Sequence, residues 1–397
     1  MEEWKEYRLG EVVNILDYKR IPLSSVERKT REGGFPYYGA QGIIDYIDDY
    51  IFDGTYLLIA EDGENLKSKK QDIAQLAHGK YWVNNHAHIV ESNGICDIRY
   101  LCYILNNIDL SGYITGSAQP KLNQANLSAI SIILPSLNLQ EQIADFISMF
   151  DNKIELNRRI NDNLEQQAQT LFKSWFVDFE PFKEGKFVDS ELGMIPESWR
   201  VCSAQTIFKI NIGKTPPRKE QQWFSNISNG NVKWISISDL GSNEIFIEDS
   251  KEYLTKEAIS KFNIIVVPED TILVSFKLTV GRVGISNCEL TTNEAVARFY
   301  LPKSYFREYT YLSLKNYNYA RLGSTSSIAT AVNSRIIKNM KLLIPPVTII
   351  SEFSKRINPL FNAIRIYENE IRNLSKIRNT LLPKLMSGEL KINDINN

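Results

Sequence analysis

The sequence has little of several residue types that define specialised protein classes. Among 397 residues there are only four cysteines, and Cys96, Cys102, Cys202 and Cys288 never form a CxxC pair. This spacing argues against a disulfide framework. No apolar run approaches the roughly 20 residues that a membrane-spanning helix needs, and the polar start MEEWKEYRLG is unlike a signal peptide. These absences predict a cytoplasmic protein with no membrane partner.

The motifs of common nucleic-acid enzymes are also missing. An adenine methyltransferase would carry an [N/D]-P-P-[Y/F] motif, but the two Pro-Pro pairs, at 216–217 and 345–346, have neither the leading residue nor the aromatic residue. The sequence contains no GxxxxGK[ST] phosphate-binding loop, which argues against an ATP-driven motor. We therefore predict a chain without a catalytic site and without a bound cofactor.

Two metal-dependent alternatives stay open at this point. Asp239, Asp249 and Lys251, or the acidic and basic residues of 178–186, could hold Mg²⁺ in a nuclease. Such short patterns arise by chance in most chains of this length. His86 and His88 alternate as neighbours on a strand do, but no cysteine or carboxylate cluster nearby in the sequence completes a zinc site. We predict no metal site.

The composition is that of a folded, water-soluble protein with more than one domain. Hydrophobic residues make up 43% and charged residues 23% of the chain, and 397 residues exceed the usual size of one domain. The formal net charge of −1 conceals a basic segment, because residues 277–345 contain ten basic and three acidic side chains. Such a segment suits a polyanionic partner. A solvated surface is equally consistent with the charge alone.

A long internal repeat organises the chain. Residues 122–154 match residues 332–364 at a constant offset of 210, for example with Pro135 opposite Pro345. Each copy consists of about 130–150 residues of mixed, strand-rich sequence followed by about 45 residues with helical spacing. Self-similarity at a fixed offset is the signature of a duplicated structural unit. We therefore predict two related halves.

The helical segment of each copy has apolar residues at alternating spacings of four and three. This spacing produces a narrow stripe that packs against another helix. One segment is acidic and the other basic, so pairing them reduces charge repulsion. Two ordinary core helices in separate bundles would explain the stripes but not their duplication. The predicted seam consists of Ile143, Ile147, Phe150, Ile154, Leu164, Leu171, Phe353, Ile357, Leu360, Ile364, Ile371, Leu374 and Leu381.

Local signals predict the helix ends and an irregularity. Asn138, followed three residues later by Glu141, is typical of a capping box at the start of the first helix. Pro181 and Gly388 suit the ends of the two helices. Pro359 falls within the second helix and is expected to kink or interrupt it.

The segments before the helices predict α+β domains. Short runs rich in β-branched and aromatic residues, separated by glycine and Asn/Asp turns, are typical of strands. The predicted strands are 55–60, 129–135, 232–238, 263–268 and 271–277, and a helix is predicted at 98–105.

Several segments together resemble the specificity subunits of Type I restriction–modification systems. The most telling are LPSLNLQEQIADFI (134–147) and LEQQAQTLFKSWFVDF (164–179). DSELGMIPESW (189–199) is similar to the usual entry into the second recognition domain, and RNTLLPKLMSGEL (378–390) to the usual C-terminal end. YYGAQGIIDYID and WVNNHAH resemble parts of one recognition-domain subtype. The resemblance covers essentially the whole chain.

The resemblance implies two mixed α/β target recognition domains, separated by a pair of long antiparallel coiled-coil-like helices and related by a pseudo-two-fold axis. The implied boundaries are 1–135 for the first recognition domain, 136–181 for the first spacer helix, 182–345 for the linker and second domain, 346–390 for the second spacer helix, and 391–397 for a C-terminal tail.

The resemblance also implies the function and partners. Each domain would read one half of a split site in double-stranded DNA, and the helices would dock two methylation subunits, through which the restriction subunits join. S-adenosylmethionine, ATP and Mg²⁺ are then expected on the partner subunits. The alternatives are an assembly scaffold that reads no sequence and a self-contained nuclease or methyltransferase.

Candidate DNA contacts come from the richest polar loops, because base reading uses Arg, Lys, Asn and Gln, and phosphate contacts use basic and hydroxyl side chains. For each of them, a solvated loop is the alternative. Asn85 aligns with Asn293 across the repeat and could instead cap a turn in both copies. The candidates are Lys67, Lys69, Lys70, Asn84, Asn85, His86, Gln119, Lys121, Lys214, Thr215, Arg218, Lys219, Lys277, Arg282, Arg321, Ser324 and Thr325.

Overall fold

The computed structural model describes residues 4–116, 119–241, 244–322 and 332–395. The chain divides into two compact units, of which the first is Met1–Lys153 with Leu374–Asn397 and the second is Ile154–Asn373. Two long helices contribute one part to each unit. Each unit also has its own sheets and hydrophobic core.

The first unit is a mixed α/β domain. Its strands are β1 Lys5–Arg8, β2 Val13–Ile15, β3 Glu32–Gly39, β4 Gly42–Ile47, β5 Phe52–Asp53, β6 Tyr56–Ala60, β7 Ala74–Ala77, β8 Lys80–Val83, β9 Ala87–Ser92 and β10 Ser131–Leu134. Its helices are α1 Leu9–Val12, α2 Ser25–Lys29, α3 Asn65–Ser68, α4 Ile98–Asn107, α5 Gln124–Ala129 and the first part of α6 Leu137–Phe176. The sheets have the strand orders β1-β10, β2-β9-β6-β7 and β4-β3-β8-β5.

The second unit has the same type of architecture. Its strands are β11 Phe187–Val188, β12 Ile195–Pro196, β13 Arg200–Ser203, β14 Lys209–Ile212, β15 Phe224–Ser225, β16 Val232–Ile235, β17 Phe246–Ile247, β18 Tyr253–Leu254, β19 Ile272–Ser275, β20 Val283–Ser286, β21 Thr291–Thr292, β22 Val296–Tyr300 and β23 Lys341–Ile344. Its helices are α7 Ala204–Ile207, α8 Lys256–Lys261, α9 Arg307–Lys315, α10 Ser334–Asn339 and the first part of α11 Val347–Met386, whose end lies in the first unit with α12 Ile392–Ile395. Its sheets are β11-β12, β13-β23, β14-β22-β19-β20-β17 and β15-β18-β16-β21.

The order of elements repeats between the units, which confirms the duplication predicted from the sequence. β1, α1 and β2 correspond to β13, α7 and β14, and α5, β10 and α6 correspond to α10, β23 and α11. β1 pairs antiparallel with β10, with Lys5 opposite Leu134, and β13 pairs in the same way with β23, with Arg200 opposite Ile344. The strands that enter and leave each domain therefore meet next to a long helix.

In the first unit, the beginning of α6 packs against the end of α11. Ile143 and Ile147, both at most 1% exposed, share a core cluster with Leu382 and Leu385. An ion pair joins the same parts of the helices, with Arg378 Nη1 2.5 Å from Asp151 Oδ1.

In the second unit, the end of α6 packs against the beginning of α11. The Phe353 ring lies 4.7 Å from Phe176 and 5.7 Å from Trp175. Asn157 Nδ2 donates to Glu370 Oε2 at 2.9 Å. Because early residues of one helix meet late residues of the other in both units, the two helices run antiparallel. This confirms the predicted fold class of two mixed α/β domains with a long antiparallel helix pair.

The predicted seam residues all turn away from solvent. Six of them are fully buried, with at most 2% exposure: Ile143, Ile147, Ile154, Phe353, Ile357 and Ile364. The others are partly buried: Phe150, Leu164, Leu171, Leu360, Ile371, Leu374 and Leu381.

Two local predictions were wrong, and one of two alternatives in a third is contradicted. Pro359 was expected to kink or interrupt the second long helix, and α11 is not interrupted there. Apolar residues before and after this exposed proline are anchored in the core. α6 begins at Leu137, where the Ser136 carbonyl accepts the first helical N–H groups, so Asn138 lies inside the first turn. The segment 263–268, which the structure describes in full, contains no strand, only an isolated bridge at Val267.

The helix ending at Met386 is followed by the predicted glycine. Gly388 has φ +73°, a left-handed conformation that glycine adopts without steric cost. Its N–H donates to the carbonyl of Leu385 at 3.3 Å. The prediction of a glycine stop is therefore confirmed for the second long helix.

Glu368, on α11, holds a strand of the second domain. Its two carboxylate oxygens accept hydrogen bonds from the backbone N–H groups of Ile245 at 2.6 Å and Phe246 at 3.0 Å. Burial raises the pKa of Glu368 to about 8, although these N–H groups act in the opposite direction; the neighbouring Glu244 raises it further.

This carboxyl group predicts a pH-dependent stability. Between its unfolded pKa near 4.5 and its folded pKa near 8, the folded chain keeps a proton that the unfolded chain has released. Stability should therefore fall as the pH rises through this window, by at most about 1.4 kcal/mol per pH unit. Urea unfolding at pH 6 and pH 8.5 should show a shallower pH dependence for Glu368→Gln than for the unmodified chain. The control Glu352→Gln, at an exposed position on the same helix, should keep the original dependence. Equal dependences in all three proteins would contradict the prediction.

Candidate nucleic-acid interface

Two loops lie side by side in each unit, and they carry several of the predicted contacts. In the first unit the loop after β6 joins the loop before β9, with Glu61 N donating to His86 O at 2.9 Å. In the second unit the loop after β19 joins the loop before β22 through the same type of bond, from Phe276 N to Ala295 O at 2.9 Å. The duplicated fold thus presents equivalent polar edges in its two halves.

In each unit an asparagine stabilises the loop before the corresponding strand, β9 in the first unit and β22 in the second. Asn84 Oδ1 accepts from His86 N at 2.8 Å, and Asn293 Oδ1 accepts from Ala295 N at 3.0 Å. Asn84 is therefore the counterpart of Asn293, and the sequence alignment of Asn85 with Asn293 was off by one residue. Asn84 is 6% exposed, so its side chain is a support for the loop rather than an exposed donor.

Charged side chains bring three segments of the first unit together. His86 Nδ1 lies 2.7 Å from Asp62 Oδ2, and Lys121 Nζ lies 3.1 Å from Glu61 Oε1. Asp62 and Lys121 also form an isolated β-bridge. His86 and Lys121, which are distant in the sequence, therefore belong to one surface, to which Asp62 adds a carboxylate that could accept from a cytosine amino group.

Two further lysines, Lys67 and Lys69, bind backbone carbonyl groups of neighbouring turns. Lys67 Nζ donates to Gly116 O at 3.1 Å, which places Lys67 beside the turn that leads to Lys121. Lys69 has φ +47° and donates to Ile108 O at 2.8 Å. The remaining candidates of this unit, all exposed, are Lys70, Asn85 and Gln119.

A buried ionic group lies beneath this surface. Arg20 Nη1 lies 2.7 Å from Glu61, and Arg20 Nη2 lies 3.3 Å from Asp17. Burial alone would raise the pKa of Asp17, but the hydrogen bond and charge of His88 outweigh it, so the pKa lies below its usual value. The pKa of Glu61 is likewise lowered, because bonds from Arg20 and Lys121 outweigh burial. Both carboxylates are therefore charged at neutral pH and hold the loops in place.

Asp17, Glu61 and His88 also have the residue types of a metal site, with ligand atoms within 4.8 Å of one another. However, His88 Nε2 donates to Leu122 O at 2.7 Å, and Nδ1 faces Asp17 Oδ2 at 2.5 Å. Both ring nitrogens are therefore engaged by oxygen acceptors. We interpret the group as a structural ionic network, which sequence spacing did not reveal because its members are 27 to 71 residues apart.

The second unit has its own polar edge. The Thr215 hydroxyl donates to the carboxylate of Glu294, and Lys214 Nζ donates to Phe262 O at 3.1 Å. A cavity of about 770 Å³ opens beside Glu294, and its lining includes Lys277. The polar part of this lining also includes Ser236, Ser238 and Asn293. Thr215 and Lys277 therefore border the same edge of the domain.

Arg218 lies on an aromatic cluster. Its guanidinium makes two bonds with the Glu252 carboxylate, at 2.8 and 2.9 Å, and lies 4.5 Å from the ring centroids of both Phe224 and Trp234. This planar two-bond geometry is the one that arginine also uses for phosphate and guanine. Lys219, the next residue, is exposed.

Arg282 has a structural contact and lines a second cavity. Its Nη1 donates to Ile237 O at 2.9 Å, and the side chain lines a polar cavity with Asp162 and Glu165 of α6. Ser324 and Thr325 lie outside the described residues, as does the side chain of Arg321.

The carboxylates of the possible nuclease site have structural partners. Asp239 accepts from the backbone N–H groups of Ser236 at 2.7 Å and Lys251 at 3.2 Å. Asp249 accepts from the hydroxyl of Tyr253. These contacts account for both carboxylates as turn-stabilising groups.

Sequence reasoning missed Arg20, Glu61, Asp62 and Glu294. Charged residues in loops are common, so no local pattern distinguished these four. An offset of 209 in place of 208 would have aligned Asn84 with Asn293, and with them the loop before β9 with the loop before β22.

The chain is duplicated. It has two mixed α/β domains with the same order of elements, a pair of long helices that both domains share, and two equivalent polar edges. The family model described as "Type I restriction modification DNA specificity domain" matches residues 1–166 and 196–376. The chain therefore belongs to this family.

Individual relatives match along the whole chain. The Type I restriction enzyme MjaIX specificity subunit of Methanocaldococcus jannaschii is 28% identical, and the match covers 99% of this chain and 98% of that one. The HindI specificity subunit of Haemophilus influenzae is 23% identical, over 98% of this chain and 100% of that one. The crystal structure of a Type I restriction–modification S subunit from M. genitalium superposes with a TM-score of 0.60 at 15% identity, covering 97% and 96% of the two chains. This last match supports the fold.

None of the helices in the described residues combines the length and apolar character needed to cross a lipid bilayer. The buried apolar residues of the long helices α6 and α11 belong to the core clusters of the two units.

Proposed function

We propose that this chain reads a two-part site in double-stranded DNA, with one recognition domain for each half-site, and docks two methylation subunits. The observation that carries the proposal is the equivalence of the two polar edges, since the bonds Glu61 N–His86 O and Phe276 N–Ala295 O occupy the same place in the repeat. Two copies of one reader within a single chain replace the two protomers of a symmetric DNA-binding dimer. Unlike identical protomers, they can carry different loops and read different half-sites.

The helix pair supplies the spacing in this proposal. A helix of 40 residues is about 60 Å long, which exceeds the roughly 34 Å between equivalent grooves one turn apart on DNA. The distance between half-sites would then depend on the helices rather than on a flexible linker.

Duplicated apolar positions on the helices support the docking of two copies of one partner. Leu137 and Val347 are 37% and 53% exposed, and Leu156 and Ile366 are 44% and 64% exposed. Each pair has the offset of 210 found for the repeat as a whole. Two exposed apolar positions that recur in both copies suit two identical surfaces, one for each methylation subunit, with restriction subunits joining through the complex.

Catalysis belongs to the partner subunits in this proposal. The chain has no methyltransferase or ATPase motif, and S-adenosylmethionine, ATP and Mg²⁺ would bind to the methylation and restriction subunits. This chain contributes sequence recognition and assembly.

The test is a genome-wide map of methylated adenines in a host that carries this chain with its methylation and restriction subunits. We expect two short defined blocks separated by a constant number of unspecified base pairs. Exchanging residues 1–135 for those of a relative should change one block and leave the other. Methylation without site preference would support a scaffold instead. DNA turnover by the isolated chain, lost in Asp249→Ala, would support a self-contained enzyme.

Single variants should separate the half-sites. His86→Ala should reduce discrimination in one block by roughly 10- to 100-fold, as expected for the loss of a base contact worth about 1–3 kcal/mol. Lys277→Ala should affect the other block, and Lys183→Ala, in the linker, should affect neither. Measurements of binding by the complex at several salt concentrations are the readout, with affinity falling steeply as salt rises. An equal effect of His86→Ala on both blocks would contradict one domain per half-site.

A further inference from the structure

The loop between β19 and β20 presents an apolar side chain to solvent. Leu278 is 97% exposed, the highest exposure among the large hydrophobic residues that the structure describes. Its backbone has φ +55°, a left-handed conformation that costs energy for any residue with a branched side chain. Leucine is thus unfavourable at this position both for its exposure and for its backbone. Such a combination is typical of a residue kept for binding.

The loop that carries Leu278 is held firmly at its base. The Ser275 hydroxyl donates to Thr279 O at 2.6 Å and accepts from Arg282 N at 2.9 Å. Gly281 N donates to Ser275 O at 2.9 Å, and Ser275 is fully buried. The tip is therefore presented in one orientation before any partner arrives, which lowers the entropic cost of inserting it.

The surroundings of Leu278 suit nucleic acid. It borders the cavity of about 770 Å³ that also contains Lys277, Ser236 and Asn293. Basic and hydroxyl side chains of this kind contact phosphates, and an amide can read adenine. Lys277 belongs to residues 277–345, which contain ten basic and three acidic side chains. Arg298 and Arg307 of this segment are buried, so exposed side chains such as Lys277 are the ones that suit a polyanion.

We propose that Leu278 inserts as a wedge between two neighbouring base pairs of the half-site read by the second domain. The inference rests on the proposed DNA-reading function and adds a mode of recognition to it. The faces of DNA bases are apolar. A leucine side chain that enters the gap between two base pairs is therefore removed from water, and this burial offsets part of the lost base stacking. The duplex opens at one step and bends. Pyrimidine–purine steps are the most easily opened, so this residue selects sequence through deformability rather than hydrogen bonds.

In the first domain, the position equivalent to Leu278 has no side chain that could act as a wedge. Gly63 lies two residues after Glu61, as Leu278 lies two residues after Phe276, and both have positive φ, +112° and +55°. Glycine has no side chain to insert. The distortion is therefore confined to one half-site, which makes the two halves of the protein act differently on DNA.

The experiment uses the complete chain with its methylation subunits and a duplex that contains the site mapped in the host. 2-Aminopurine, placed in turn at each position of both half-sites, reports unstacking by an increase in fluorescence. We expect an increase at one step of one half-site with the unmodified chain. Leu278→Asn should abolish the increase and weaken binding by roughly 10-fold, and Leu278→Phe, which keeps an apolar wedge, should retain both.

The substitutions are chosen so that misfolding does not obscure the result. Asparagine tolerates left-handed backbone better than leucine, so Leu278→Asn should unfold at a urea concentration at least as high as the unmodified chain does. The matched control is Met194→Asn, at a linker position that is 56% exposed, which should leave fluorescence and affinity unchanged. Site-specific binding with no fluorescence change, or a signal that Leu278→Asn leaves intact, would overturn the wedge while the proposed function stands. Absence of site preference in the unmodified complex would overturn the proposed function itself.

Discussion

Replacing Phe353 with alanine is expected to destabilise the second unit by about 3–5 kcal/mol. Phe353 is fully buried, and its ring contacts Phe172, Trp175 and Phe176 of α6 at centroid distances of 4.7 to 6.2 Å. Alanine would remove these contacts and leave a cavity that the surrounding rings cannot fill without leaving their own positions. The helix pair is continuous with the domain core here, so the loss should spread to both.

Tryptophan fluorescence during urea unfolding measures the loss of stability in the part of the core that surrounds Phe353. Trp175 lies beside Phe353, and Trp199 lies 5.7 Å from Phe176, so both report on this part of the core. Ile366→Ala, at a position of α11 that is 64% exposed, is the matched control and should change the free energy of unfolding by less than about 0.5 kcal/mol. A loss below about 1 kcal/mol for Phe353→Ala would show that the helix contact is not part of the core.

Replacing Glu308 with alanine should have an effect of similar size for an electrostatic reason. Glu308 is 1% exposed and accepts bonds from Arg307 at 2.6 and 2.9 Å. Ser354 and Asn358 of α11 donate to the same carboxylate at 3.2 Å. Removing it leaves the buried Arg307 with fewer compensating charges and two helix side chains without their acceptor. Breaking a buried pair in this way costs about 3–5 kcal/mol.

The double variant Arg307→Met/Glu308→Leu tests the mechanism. Removing both charges eliminates the unpaired ion, so the double variant should be more stable than Glu308→Ala alone. The exposed pair of Glu352 and Arg356, 3.0 Å apart on α11, provides the control, since Glu352→Ala should cost at most about 1 kcal/mol. If Glu308→Ala and Glu352→Ala cost the same, burial of the Arg307–Glu308 pair is not what determines its contribution.

The two long helices could be predicted in detail because their signal is local and repeated. Ile143, Ile147 and Ile154 recur at spacings that only a helix with one buried face explains, and their counterparts Phe353, Ile357 and Ile364 follow at the same offset. Pro359 does not interrupt the second helix, because the missing hydrogen bond is a local cost. Buried residues on either side of it, in tertiary contact with the core, compensate for that cost.

Two of the correctly predicted strands lie in the centre of a sheet. Tyr56–Ala60 and Ile272–Ser275 are almost entirely buried, and such continuous apolar runs are visible in sequence. The run 263–268 has the same composition but forms no strand in this described segment. The run begins at Asn263, whose φ of +48° turns the chain. Composition alone could not separate these cases.

The sequence by itself determined the duplication, the two long helices and the family, because each depends on residue order along a continuous segment. Only the tertiary structure decided which polar residues share a surface. His86, Asp62 and Lys121 meet because backbone hydrogen bonds join segments that are 25 and 59 residues apart, and pairing between distant segments has no counterpart in local spacing. The same holds for Leu278, whose exposure depends on what the rest of the chain leaves uncovered.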